Sequence, residues 1–410
     1  MRFIMGACAS IAAATAPSVA LSGEWDVGGE IAGEIRYFPN NPLYPGQFEH
    51  FQPSISFEPD IRWESDDRKH QFVLIPYARI DAQDDERTHV DLREGYYRYN
   101  ADGGWALTVG AAKVFWGRTE SRHLVDIINQ TDAVEDVDEE DKLGQPMVNL
   151  TLINDWGAID LFVMSGFRTR TFAGVEGRPR FALPVDTDGE IINRDWGRGA
   201  VDVAARYSHY IGNWDFGLSI FHGTSREPRF TIDAANQRIR PVYDTITQGG
   251  IDLQYTKDAW LWKLEAIVRE GHGDTFAAVV GGVEYTLYQV FGSNADLGLL
   301  VEYQYDGRDD NFVMESFGPT LAAPVTFADN DVFAGARLGL NDPQDTSFLA
   351  GATVDTNDTF MGVFVETQRR FGQNWTAELE ARFFLNADPG NAAFPIRDDD
   401  FITLRIARYF

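Results

Sequence analysis

The chain has 410 residues, and its 63 acidic and 35 basic side chains give a net charge of −28. Phosphate groups would repel such an acidic chain, so we expect no nucleic-acid partner. The length exceeds that of one ordinary soluble domain, and the single cysteine, Cys8, excludes an intramolecular disulfide framework.

The N-terminus has the features of an export signal. Arg2 supplies a positive charge, Phe3–Ala16 form an apolar and small-residue stretch, and Ser18-Val19-Ala20 fits a small-x-small cleavage rule. We therefore expect residues 1–20 to be a signal peptide and residues 21–410 to form one mature domain. The alternative is a short apolar start to a protein that is not exported.

Strict period-2 alternation begins at Trp25 and predicts a strand of about ten residues, long enough to span a bilayer when tilted. Similar sets recur to the C-terminus, about eighteen in all, with sixteen as the alternative. The sequence therefore predicts an all-β fold, a transmembrane antiparallel up-and-down β-barrel. The first set places Trp25, Val27, Gly29, Ile31, Gly33, Ile35 and Tyr37 on one face, and Asp26, Glu30, Glu34 and Arg36 on the other.

Charged residues of both signs oppose the apolar face in most of these sets. A soluble barrel would expose those charges around an apolar core, whereas a membrane barrel turns them toward a water-filled lumen. In one set, Trp260, Leu264 and Val268 alternate with Lys263 and Glu265. Alternation alone leaves both directions open, and the membrane interpretation requires the two charged residues to point inward.

The connections between these sets alternate between short and long. Short periplasmic turns and long extracellular loops are typical of outer-membrane barrels, so this pattern favours charges that face inward. Exceptions are three short links on the long side, near Asp84, Gly271 and Asp355, and a longer one, Tyr288–Ala295, on the short side. The short links are Ser65–Arg68, Asn100–Gly104, Asn154–Gly157, Tyr210–Asn213, Lys257–Ala259, Asn341–Asp345 and Gly372–Asn374, and the long ones are Pro39–His50, Gly117–Gln145, Arg168–Arg198, Gly223–Thr247, Asp306–Asn330 and Asn386–Asp399.

Tryptophan side chains concentrate at the short-turn ends of the predicted strands. Amphipathic rings prefer the level of the lipid headgroups, so this placement predicts a membrane girdle, although aromatic residues also favour strand ends in general. The terminal Phe410 fits the signal that barrel-assembly machinery reads, with its accompanying aromatic one place before the end rather than two. The predicted girdle comprises Trp25, Trp63, Trp105, Trp214, Trp260, Trp262, Trp375 and Phe410.

The third long connection contains the main candidates for a functional site. His123–Ile128 predicts a short helix or turn folded against the inner wall, and Glu135–Asp141 is a dense acidic run. That run is compatible with a solvated outer loop, or with an acidic lip that attracts cations or binds Ca²⁺, although it lacks EF-hand spacing. The candidate constriction residues are Trp116, Arg118, Glu120, Arg122, Asp126, Glu135, Asp136, Asp138, Glu139 and Glu140, with Arg337, Arg382 and Arg405 on the wall.

Several segments resemble Gram-negative porin-like barrels, and more closely a poorly characterised porin-like family with a Trp-Gly third loop. The resemblance is carried by Leu92–Tyr99, Val109–Arg118, Val125–Asn129, Phe167–Phe172 with Gly177-Arg178, and His222–Pro228. It covers about residues 92–228, and the rest of the chain matches only as a barrel. The resemblance implies transport but does not identify a substrate.

We therefore expect a passive diffusion channel for small hydrophilic solutes in a bacterial outer membrane, in contact with lipid and lipopolysaccharide. The alternatives are a barrel that passes apolar or lipid molecules with periplasmic partners, and a structural surface protein whose lumen is plugged. The chain contains none of the HExxH, GxSxG, P-loop or CxxC motifs, so we predict no enzyme activity, cofactor or metal site.

Overall fold

The computed structural model describes residues 22–410, so the predicted signal peptide lies outside the described residues. Eighteen antiparallel strands form one sheet, and pairing of the first with the last strand closes it into a barrel, which confirms the predicted fold class. The strands are β1 Gly23–Tyr37, β2 Phe51–Ser65, β3 His70–Asp81, β4 His89–Ala101, β5 Trp105–Ala112, β6 Gln145–Asn154, β7 Gly157–Met164, β8 Asp202–Ile211, β9 Trp214–Thr224, β10 Thr245–Lys257, β11 Trp260–Glu270, β12 Phe276–Leu287, β13 Asp296–Asp306, β14 Asn330–Gly339, β15 Ser347–Asp355, β16 Met361–Phe371, β17 Trp375–Leu385 and β18 Phe401–Tyr409.

The two faces of each strand meet different surroundings, as β11 illustrates. Trp260 and Val268 are 43% and 55% exposed on the outside of the barrel. Lys263 is buried on the lumenal side, and Glu265 is 0% exposed there. The charged residues therefore point inward and the apolar ones outward, as a wall between hydrocarbon and a polar interior requires. Within residues 22–410, no helix is long and apolar enough to cross a membrane.

Short turns at one rim and mostly longer loops at the other follow the predicted alternation. Each tight turn reverses the chain within a few residues, and glycines with positive φ, such as Gly104 (73°) and Gly212 (61°), make this reversal possible. The turns are 66–69, 102–104, 155–156, 212–213, 258–259, 288–295, 340–346 and 372–374, and Loops 1 to 9 are 38–50, 82–88, 113–144, 165–201, 225–244, 271–275, 307–329, 356–360 and 386–400.

A second, five-stranded sheet, separate from the barrel sheet, is formed by segments of the long loops. Its segments occur within Loops 4, 5 and 7, where the sequence predicted only loops. These segments pair with one another. Because each is short, none of them shows an extended period-2 pattern in the sequence. The strands are Ile191–Ile192, Arg229–Asp233, Arg238–Tyr243, Phe312–Glu315 and Gly318–Leu321.

Aromatic side chains occupy the outer surface near the short-turn rim. Most of the predicted girdle is exposed, from 38% for Trp105 to 57% for Trp25, and the terminal Phe410 is 54% exposed. Trp63 differs from the rest because it is only 6% exposed and lies beside Trp25, with 6.4 Å between the ring centroids. The outer surface is therefore suited to a membrane interface at this level, with Trp63 packed under its neighbour.

We expect an arginine in the centre of the outer wall to destabilise the barrel. Val301, the central residue of β13, is 50% exposed between Val283 and Ala334. If this surface meets lipid, Val301→Arg lowers the free energy of unfolding by roughly 2–4 kcal/mol, measured by denaturant titration in vesicles. Leu349→Arg, on the lumenal face, is the matched control and should cost much less. Equal effects of the two substitutions would contradict the orientation of the wall.

Candidate functional site

Loop 3 turns into the barrel and is anchored on the far wall. Glu265 of β11 accepts hydrogen bonds from the backbone N–H groups of Arg118 (2.6 Å) and Thr119 (3.0 Å). The same carboxylate accepts from the Thr119 hydroxyl (2.7 Å) and from the Val125 N–H (3.2 Å). Hydrogen bonds to an ionised acceptor are stronger than neutral ones, so this buried carboxylate is a firm anchor for the loop.

A second anchor lies beside the first. Glu302 of β13, which is also fully buried, accepts from the N–H groups of Glu120 (2.9 Å) and Ser121 (2.8 Å) and from the Ser121 hydroxyl (2.6 Å). The Arg122 guanidinium then donates to Asp306 at the loop end of β13 (2.9 Å). Residues 118–122 are therefore held against β11 and β13, about half the barrel circumference away from β4.

The middle of Loop 3 packs against the inner wall through apolar side chains. Residues 123–128 form turns rather than the short helix that the sequence also allowed. Burial of these groups excludes water from one side of the lumen and adds apolar contact to the polar anchors. Leu124, Val125, Ile127 and Ile128 pack with Phe162, Met164, Ala204, Phe221, Ile246, Ile267, Phe276, Ala278 and Val280 of the wall.

The acidic part of Loop 3 reaches the opposite wall. Glu135 is buried there, with its carboxylate 2.7 Å from the Arg79 guanidinium of β3. Arg93 of β4 contacts Asp132 (2.5 Å), and Arg87 donates to the Val134 carbonyl (3.1 Å). Burial opposes ionisation of Glu135, but the nearby guanidinium groups, Arg79 first, hold its pKa below the ordinary value. Residues 132–135 are therefore a structural anchor, whereas residues 137–141 of the acidic run are exposed.

The tip of the loop meets arginines of two further strands. Asp136 pairs with Arg36 of β1 (2.6 Å), and Asp138 pairs with Arg382 of β17 (3.0 Å). Enclosure inside the barrel raises the pKa of Asp138, and the Asp136 carboxylate raises it further, while Arg382 opposes both effects. Loop 3 is thus fixed to both sides of the lumen and divides it.

The wall between these two attachments remains accessible to water at the level of Loop 3. On β14, Arg337 pairs with Glu120 of the loop, yet its side chain is 49% exposed. On β16, the Glu366 side chain is 40% exposed beside Arg382 (3.0 Å), and the exposed Glu140 of the loop donates its backbone N–H to Asp138 (3.0 Å). We call these side chains the constriction: Glu120, Asp138, Glu140, Arg337, Glu366 and Arg382.

The structure distributes the predicted constriction residues among five places. Trp116 is only 4% exposed, edge-on to Phe162, because it fills the apolar contact beneath the loop. Asp126 is similarly enclosed and pairs with Lys142 (3.2 Å). These two predicted lining residues therefore do not face the passage. Five of the remaining residues belong to the constriction, namely Glu120, Asp138, Glu140, Arg337 and Arg382. Four are anchors of the loop, namely Arg118, Arg122, Glu135 and Asp136. Glu139 links Loop 3 to Loop 4, and Arg405 forms ion pairs within the wall.

Arg405 and Glu139 also lie outside the constriction. Arg405 pairs with Glu378 (3.0 Å) and with Glu30 on the neighbouring strands, so its charge is balanced within the wall. Glu139 pairs with Arg170 of Loop 4 (2.6 Å).

Sequence reasoning missed the anchors Glu265 and Glu302 as functional residues. Both occupy lumenal positions in the alternation, and that position was their only signal. Thr119 and Glu265 are 146 residues apart, so spacing in the sequence gives no indication of their contact. An inward carboxylate facing a loop that enters the lumen is the feature that would have identified them.

Loops 1, 4 and 9 form a cover over part of the loop rim. Arg178 of Loop 4 is buried against Asp399 of Loop 9 (2.7 Å) and donates to the Glu49 carbonyl of Loop 1 (2.6 Å). Phe38 packs between Phe48 and Phe401, at centroid distances of 5.3 and 5.6 Å. These contacts make the cover a packed structure and not a set of free loops.

No protein-family model and no curated protein sequence matches the chain. Among solved structures it is similar to Wzi of Escherichia coli, described as a carbohydrate-binding outer-membrane β-barrel involved in group 1 capsule assembly. That alignment covers 95% of this chain and 85% of Wzi at 9% identity, with a TM-score of 0.51. A variant of the Rh. blastica porin aligns over 94% of this chain and 100% of its own length, at 11% identity and a TM-score of 0.45.

These likenesses bear on the fold alone, and only the alignment to Wzi supports it. The closed ring of strands, the apolar outer face and the loop inside the lumen define a porin-like β-barrel.

We expect removal of one anchor to release Loop 3. Glu302→Leu leaves three donors unpaired, at a cost of roughly 1–3 kcal/mol for each donor that stays buried, so the loop should detach from β13. Trypsin should then cut after Arg118 and Arg122 much faster than in the unaltered barrel. Glu64→Leu, near the short-turn rim, is the control and should leave the digestion unchanged. Equal protection in both variants would contradict the anchor.

Proposed function

We propose that the protein is an outer-membrane channel of a Gram-negative bacterium that admits small hydrophilic solutes by passive diffusion. The observation that carries the proposal is the constriction, where Loop 3 narrows the lumen and charged side chains remain in contact with water. Arg337 and Glu366 are half-exposed in the interior of a closed barrel, which supports an aqueous path beside the loop. The apolar outer wall supports the location in a membrane.

The charges of the constriction favour cations. Even with Asp138 protonated, the three carboxylates of Glu120, Glu140 and Glu366 outnumber the two guanidinium groups of Arg337 and Arg382. A narrow path with a net negative lining concentrates cations and repels anions. Leu124, Val125, Ile127 and Ile128 cover an apolar part of the inner wall, which leaves the charged side chains of the constriction on the other side of the lumen.

A purified, refolded barrel should form discrete conductance steps in planar bilayers, with a preference for K⁺ over Cl⁻ in a salt gradient. The double substitution Glu140→Gln and Glu366→Gln removes two exposed carboxylates, so the permeability ratio should fall by at least about twofold. Glu64→Gln and Asp102→Asn, at the turn rim, form the control. A conducting double variant with an unchanged reversal potential would remove these residues from the path.

The second candidate is a surface protein whose lumen is closed. The packed cover formed by Loops 1, 4 and 9 favours it, because the buried pair of Arg178 and Asp399 fixes these loops across part of the opening. A barrel that folds and inserts but never conducts would contradict the channel and support this candidate.

A further inference from the structure

A cluster of possible metal ligands lies where β4 begins, beneath the acidic segment of Loop 3. His89, Asp132 and Glu135 each direct one ligand atom into the same space, and the three atoms lie within 4.8 Å of one another. His89 Nε2 is 3.4 Å from Glu135 Oε1 and 3.7 Å from Asp132 Oδ2. Asp132 is 0% and Glu135 only 4% exposed.

When the His89 ring is neutral it directs no donor into this space, and the Arg93 guanidinium hydrogen-bonds there only to Asp132 Oδ2 (2.5 Å). Its Nδ1 lies 3.1 Å from the Arg87 carbonyl oxygen, which only accepts, so Nδ1 carries the proton. The Nε2 lone pair then faces the two carboxylates. Neither His89 Nε2 nor Glu135 Oε1 has a hydrogen-bond partner among residues 22–410. Buried lone pairs that face one another repel unless a positive charge lies between them.

The surrounding charges are also incomplete. Five guanidinium groups meet six carboxylates in direct ion pairs, so negative charge exceeds positive charge by one before any ion binds. A bound cation would offset this excess. The carboxylates are Glu34, Asp81, Asp91, Asp132, Glu135 and Asp136, and the guanidinium groups are those of Arg36, Arg79, Arg87, Arg93 and Arg168.

We propose that His89, Asp132 and Glu135 bind a divalent transition-metal ion, with Zn²⁺ as the best match. One imidazole and two carboxylates suit Zn²⁺ better than Ca²⁺, which prefers oxygen ligands alone. The sequence predicted no metal site because His89 and Asp132 are separated by 43 residues and belong to different elements.

Neighbouring groups hold the ligands in place. The Arg87 carbonyl orients the imidazole, and the Tyr77 hydroxyl donates to Glu135 Oε2 (2.9 Å), which leaves Oε1 for the ion. Arg93 contacts Asp132 Oδ2 (2.5 Å) and fixes that carboxylate. The His89 side chain is 20% exposed, so an ion and a water ligand can reach the site.

A bound ion would link Loop 3 to the wall, because one ligand comes from β4 and two come from the loop. The site therefore adds a metal-dependent attachment to the ion pairs of Arg79 and Arg93. Binding of the ion does not require that the barrel conducts, so calorimetry tests the site independently of the channel.

The test is calorimetric titration of Zn²⁺ into the refolded full chain, in which Cys8→Ser removes the thiol as a competing ligand. We expect one ion per chain, and His89→Gln and Glu135→Gln should each weaken binding at least about tenfold. His209→Gln, near the short-turn rim, is the matched control and should bind as before. Unchanged affinity in His89→Gln, or no stoichiometric binding, would overturn the proposal.

A spectroscopic measurement covers the case in which a substituted chain does not fold. Co²⁺ in the chain that retains His89 should give visible d–d bands of a low-coordinate site, and Zn²⁺ should displace it. A pale octahedral spectrum like that of aqueous Co²⁺ would contradict ligation by His89. The positive charge between the two carboxylates would then be a protonated His89 imidazole and not a metal ion.

Discussion

The structure depends on one constraint, which is that charged groups facing the lumen must be met by water or by opposite charges and hydrogen-bond donors. Glu265 and Glu302 face the interior from β11 and β13 and are fully buried. Isolated carboxylates in such positions would be strongly destabilising. Loop 3 supplies backbone N–H groups and hydroxyl groups at hydrogen-bonding distance, so the requirements of the wall determine where the loop lies.

On the opposite wall the roles are exchanged, because there the wall supplies the hydrogen-bond donors and the loop supplies the carboxylates. There the strands present arginines, Arg36, Arg79 and Arg93, and the loop supplies the carboxylates of Asp132, Glu135 and Asp136. Loop 3 thus presents donors to an acidic wall and acceptors to a basic wall. This complementarity holds the loop across the lumen and leaves water-accessible charged side chains on β14 and β16. The proposed metal site would add one further attachment on the arginine side.

The alternation of residues, together with the alternation of short and long links, was sufficient to predict the fold. In β11, Trp260 and Val268 alternate with Lys263 and Glu265, which predicted a strand with one apolar and one charged face. The alternation of short and long links then indicated which face was outside. The contacts of Loop 3 were not predictable in this way, because Glu265 and Thr119 meet only after the barrel has closed. The acidic run 135–141 was recognised, but its division into a buried anchor at Glu135 and an exposed residue at Glu140 depends on which wall arginines it reaches.

Hydrogen exchange of individual backbone amides tests most directly whether buried wall carboxylates hold Loop 3 inside the barrel. The amides of Thr119, Ser121 and Val125 donate to Glu265 or Glu302 and should exchange slowly, at rates comparable with those of barrel strands. Exchange of these amides as fast as that of exposed turn residues such as Gly212 would show that the loop is not held in the lumen.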